Sequence, residues 1–77
     1  MFDKLDTIGK RAAYAIEQRR LETGKRKFQI YGEINVTPPT VCNWRTGDTE
    51  PRSYHLQQMA LRGYDVMWIL LGGERNG

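Results

Sequence analysis

A chain of 77 residues has room for one domain and one small core. Its hydrophobic fraction of 39% excludes a disordered chain yet is low for a core that must stand alone, and small domains so placed often gain stability by associating. Basic residues outnumber acidic ones by 12 to 9 and the pI is about 9.3, a mild excess whose placement matters more than its size.

The spacing of Phe2, Leu5, Ile8, Ala12 and Ile16 predicts a first helix over 3–23. Asp3 or Asp6 is positioned to cap it and Gly24 to end it; Gly9 is a weak point that suits the start of a shorter helix. Lys25, Arg26 and Lys27 form a basic corner leading into a second helix that ends near Ile34. The apolar pairs Ile30/Ile34 and Val41/Trp44 are helical in spacing, and between them lies a corner too short for anything but a turn. Asn35 tolerates the left-handed backbone such a corner needs. Thr37 suits an N-cap, Pro38 the first position of a third helix, and Gly47 its end.

After the polar loop 47–52, Ser53 is expected to cap a fourth helix that turns Leu56, Met59 and Ala60 inward and ends at Gly63. Asp65 caps a short fifth helix, Val66 to Leu71, and the tail after Gly73 should fray. No stretch alternates like a strand or approaches membrane-spanning length. The expected fold is therefore all-α, a compact bundle of about five short helices in one domain, with its core over about 7–73. Its second and third helices form a helix-turn-helix, a unit whose second helix can lie in the major groove of DNA.

The run from Gln29 to Gly47, followed by Pro51, Leu56, Ala60, Asp65, Trp68, Leu71 and Gly72, resembles the lambda-repressor-like domain of phage CI and Cro repressors. The pieces Asn43-Trp44-Arg45-Thr46-Gly47 and Trp68-Ile69-Leu70-Leu71-Gly72 carry the likeness most directly, and it spans about residues 7–73. Three features depart from the pattern. Tyr31 stands where the family usually has Ala at the close crossing of the two helices, so either Gly32 takes the contact or the crossing is looser. Asn35 replaces the customary Gly of the turn, and Pro38-Pro39 stands where polar base-readers are common.

The resemblance implies that the amino end of the second helix rests on a phosphate, with Gln29 hydrogen-bonding it. Lys25, Arg26 and Lys27 would add affinity without sequence preference. A charge run that merely stays solvated is the plain alternative. On the third helix, Asn43 is placed to read an adenine edge; Thr37, Pro39 and Thr40 border the same surface, and the apolar groups of Pro39 and Thr40 can touch a thymine methyl. Arg45 can reach guanine or a phosphate. Otherwise Asn43 simply bonds water. Trp44 reads as core rather than as a stacking platform.

Cys42, the only cysteine, excludes an intrachain disulfide, suggests a reducing compartment and reads as a small half-buried residue. His55, the only histidine, has no cysteine partner at ligand spacing and completes no catalytic pair. No metal site, cofactor or catalysis is expected.

Val66 to Leu71 is apolar all round, so one side of the last helix should remain exposed as an interaction surface. Tyr64, Val66, Met67, Ile69 and Leu70 are the expected oligomer contacts, and related repressors dimerise by this helix. The resulting expectation is a temperate-phage transcriptional repressor in the bacterial host cytoplasm. It would occupy double-stranded operator DNA as a dimer or tetramer. The chain ends at Gly77 without the second, cleavable domain of larger CI-type repressors, which points to relief by a small ligand or an antirepressor protein. An antitoxin or protein-interaction module that keeps the helix-turn-helix is the alternative.

Overall fold

The longest helix, α1 (Ile8–Thr23), is the element on which the others lean, and its start is fixed from two directions. The computed structural model describes residues 4–73. Locally, the Thr7 hydroxyl accepts from the Lys10 N–H at 3.0 Å. From across the chain, the Glu50 carboxylate accepts from the N–H groups of Ile8 and Gly9 at 3.0 and 3.1 Å. Two N–H groups that the helix leaves unpaired thus meet a negative charge at its positive end. The cap is therefore Thr7 rather than Asp6, whose carboxylate pairs with Lys10 instead; Asp3 and Phe2 lie outside the described residues. Gly24, at φ 71°, closes the helix as expected.

Four shorter helices follow: α2 (Lys27–Glu33), α3 (Pro38–Thr46), α4 (Ser53–Leu61) and α5 (Val66–Leu71). There is no strand among the described residues, and the architecture is an all-α globule of five helices. Helix α1 packs mainly on α3 and α5 and less on α2. Ala12, Ala13 and Ile16 present small side chains where the partners approach, and the core fills around them with Ile30, Ile34, Trp44, Met59, Trp68 and Ile69. None of the described helices is long and apolar enough to cross a membrane.

The corner between α2 and α3 follows the sequence closely. Asn35 adopts φ 58°, the only positive φ of a described residue other than glycine, and its side-chain amide donates to the Tyr54 hydroxyl at 2.8 Å. The turn is thereby tied to α4. Gly47, at φ 87°, ends α3, and the Asn43 carbonyl accepts from Asp48 and Thr49 beyond it.

Helix α4 starts one residue from the expected cap: Arg52 occupies the N-cap position, Ser53 is already helical, and neither offers a side-chain cap bond. Met59 is fully buried and Leu56 half-buried, but Ala60 is exposed because it lies one residue past the buried stripe. Helix α5 is capped by the Asp65 carboxylate, which accepts from the Trp68 N–H at 3.1 Å. Its carboxyl end is held by Arg11, whose guanidinium donates to the carbonyls of Ile69, Leu5 and Leu70 at 2.7, 2.8 and 3.3 Å.

Candidate nucleic-acid interface

Helix α3 exists because proline opens it and glycine closes it, and its orientation is set by two residues. Val41 and Trp44 are buried against α1, with Trp44 only 1% exposed. The 100° step between residues then turns Pro39, Cys42, Asn43 and Thr46 outward, and all four are exposed. Trp44 is core, with its ring edge-on to His55 at 5.2 Å between centroids.

Cys42 is exposed rather than half-buried, because it lies one 100° step past Val41 and off the seam that Val41 and Trp44 form. Thr40 is half-buried on one flank, while Arg45 is exposed on the other. Thr37 occupies the N-cap position, yet its hydroxyl pairs with that of Thr40 at 2.9 Å instead of capping an N–H. With prolines at the first two helical positions there are fewer donors to satisfy. The Asn43 side-chain amide makes no hydrogen bond among the described residues, whereas its carbonyl is fully used by the turn.

The basic corner is partly committed elsewhere. Lys25 pairs with Glu33, whose carboxyl is held below its usual range chiefly by that hydrogen bond. Arg26 and Gln29 close a reciprocal loop at the start of α2: the Gln29 side-chain oxygen accepts from the Arg26 N–H at 2.9 Å, and the Arg26 carbonyl accepts from the Gln29 N–H at 3.0 Å. The Gln29 oxygen is thus occupied and its amide N–H groups remain for an outside acceptor. Arg26, Lys27 and Arg45 have no ion-pair partner among the described residues.

Tyr31 is half-buried in the space between α2 and α3. Gly32 does not take the close contact, since a Cβ there would meet nothing within 4 Å. The two helices instead border an open groove of about 460 Å³ containing Tyr31, Phe28 and Pro38. Burial pushes the Tyr31 phenol up from its ordinary value. Below the groove, the Arg20 guanidinium holds the Glu17 carboxyl down, with Lys27 and Arg45 adding to the effect from further away.

Phe28, 68% exposed, escaped the sequence reading. Ile30 and Ile34 define the inward stripe, and Phe28 falls on the far side of it at helical spacing, which is the signal that marks it as outward. Tyr54, the turn's anchor, carries no local signal because its partner is 19 residues away.

At the opposite end, α5 divides in two. Trp68 and Ile69 face the core, and Tyr64 is buried as well. Tyr64 and Ile69, expected among the oligomer contacts, are instead core residues of the domain, because both are buried within it. Arg19 stacks over the Tyr64 ring at 4.3 Å, and burial pushes that phenol up to about 12. Met67 and Leu71, at 62% and 74% exposed, and Leu70 at 40% share the outer face, with Val66 half-buried beside them.

No group of three metal-ligating side chains occurs among the described residues. No protein-family model, curated protein or solved structure matches the chain.

Proposed function

We propose that this protein is a sequence-specific DNA-binding repressor of the lambda-repressor-like, temperate-phage kind, acting by occupying its operator. The observation that carries this reading is the pairing of a tightly anchored α3 with an unengaged outer face. Val41 and Trp44 lock the helix to the domain, so Pro39, Asn43 and Thr46 can be pressed into a major groove without loosening it. Asn43 offers an amide that fits an adenine edge. Arg26, Lys27 and Arg45 flank it with positive charge suited to phosphates. Met67, Leu70 and Leu71 supply a self-complementary apolar face through which two protomers would set their α3 helices about one DNA turn, roughly 34 Å, apart. Repression is then steric, and release would follow when an antirepressor or small ligand covers the same surface.

The same exposed apolar residues of α5 support a second reading, an antitoxin or protein-interaction module in which binding a protein partner is the main task.

Footprinting on the DNA upstream of the protein's own gene tests the choice. The repressor reading requires a protected site whose affinity falls steeply with salt. Asn43→Ala should flatten the preference between sites, and Lys27→Ala should weaken all sites alike. Salt-insensitive binding to a protein partner, with no protected DNA, would favour the module.

A further inference from the structure

The groove between α2 and α3 has a composition that DNA contact does not explain. Its walls are Phe28, Tyr31, Pro38, Val41 and Cys42, and its volume of about 460 Å³ falls in the range of small-molecule sites. Two cations, Lys27 and Arg45, stand at its edge. Neither has an ion-pair partner among the described residues, and the nearby Glu17 is engaged by Arg20. The Arg45 guanidinium lies 3.9 Å from the Cys42 sulfur, on the groove side of α3.

The groove is also built to stay open. Tyr31 occupies space between the helices, Pro38 fixes the start of α3, and Asn35 holds the corner in the left-handed region. A preformed site costs less to fill than one that must be ordered first.

Charge and shape select the occupant. A second copy docked here about a two-fold axis would bring Lys27 and Arg45 against their own images, like charge on like. DNA phosphates match the cations but leave the aromatic walls unused. A planar ring bearing one carboxylate matches both, since guanidinium binds carboxylate in a two-pronged geometry and ammonium adds a point charge.

We propose that this groove binds a planar aromatic monocarboxylate, its ring against Phe28 and Tyr31 and its carboxylate on Arg45 and Lys27, and that bound ligand and DNA exclude one another. The exclusion rests on the repressor reading, because both occupants claim Lys27 and Arg45; the ligand site itself does not.

The test uses 2-naphthoate as probe and 2-naphthamide as its neutral counterpart, with backbone amide chemical shifts as the readout. Phe28→Ala and Arg45→Gln alter exposed side chains, and circular dichroism confirms that each variant folds. 2-Naphthoate should shift amides within Lys27–Tyr31 and Val41–Arg45. Each substitution should weaken binding about tenfold or more, as should the neutral amide. Shifts confined to other helices, no saturable shift, or equal binding of the amide would overturn the site.

Saturating 2-naphthoate should also weaken DNA binding at least about tenfold. Groove binding that leaves DNA affinity unchanged would overturn the exclusion. Groove binding by a protein with no DNA affinity at all would support the ligand site and refute the repressor reading.

Discussion

Gly9 and Gly32 both lie within helices, so helix propensity alone predicts that alanine at either position stabilises the protein by about 1 kcal/mol. The structure predicts opposite signs. A Cβ on Gly9 would sit 2.7 Å from the Thr49 carbonyl oxygen, 2.9 Å from a Glu50 carboxylate oxygen and 3.0 Å from the Trp44 carbonyl oxygen. Two of those atoms are backbone and cannot swing aside. To make room, α1 must withdraw from the end of α3, which also loosens the two bonds that the Ile8 and Gly9 N–H groups donate to Glu50.

Overpacking of this kind costs about 1–3 kcal/mol, and each weakened bond to a charged acceptor removes about 1.5 kcal/mol or less. After alanine's helical preference is returned, Gly9→Ala should destabilise by about 2–4 kcal/mol. At about 4–8 °C per kcal/mol for a domain this small, Tm should fall by roughly 8–32 °C. Gly32 meets nothing within 4 Å, so Gly32→Ala should raise stability by about 0.5–1 kcal/mol. Urea denaturation of the two variants beside wild type measures both. A Gly9→Ala protein as stable as wild type would refute the close α1–α3 approach, and a destabilised Gly32→Ala would refute the open α2–α3 crossing.

Arg11→Met removes two donors from the Ile69 and Leu70 carbonyls at the end of α5 and a third from the Leu5 carbonyl; it should cost about 2 kcal/mol and speed amide exchange in residues 66–73 before the rest. Ile69→Asp should unfold the domain, whereas Leu71→Asp, at a site 74% exposed, should leave it folded and lower its association; sedimentation with circular dichroism separates the two outcomes. Burial, with a smaller push from Arg52, lowers the His55 pKa from 6.5, so the unfolded chain takes up this proton more readily than the folded one. Stability should accordingly be unaffected above about pH 6.5 and decline as the pH falls below it, and His55→Gln should remove that slope in pH-dependent denaturation.

Much of the chain announces its structure locally. Pro38 and Gly47 bracket α3, Asp65 caps α5, and Asn35 takes the left-handed corner, because each acts through its own backbone preference or its own turn. What escaped the sequence acts at a distance. Glu50 caps a helix 41 residues upstream, Lys25 is drawn off by Glu33, and Tyr54 ties down the corner from α4. The apolar run at 66–71 shows why burial is harder to read than helicity. Its composition is uniform, so only the neighbouring helices decide that Trp68 and Ile69 go in while Met67, Leu70 and Leu71 stay out. Cys42 and Phe28 likewise fall outside the buried stripes, and the groove they border exists only once α2 and α3 are placed together.

The central claim is tested most directly by titrating the labelled protein with its footprinted duplex and following every backbone amide. The account predicts that the largest changes fall on Arg26–Gln29 and Thr37–Thr46, and that they diminish as salt is raised. Changes centred on the outer face of α1 or on α5, with Thr37–Thr46 unmoved, would contradict it.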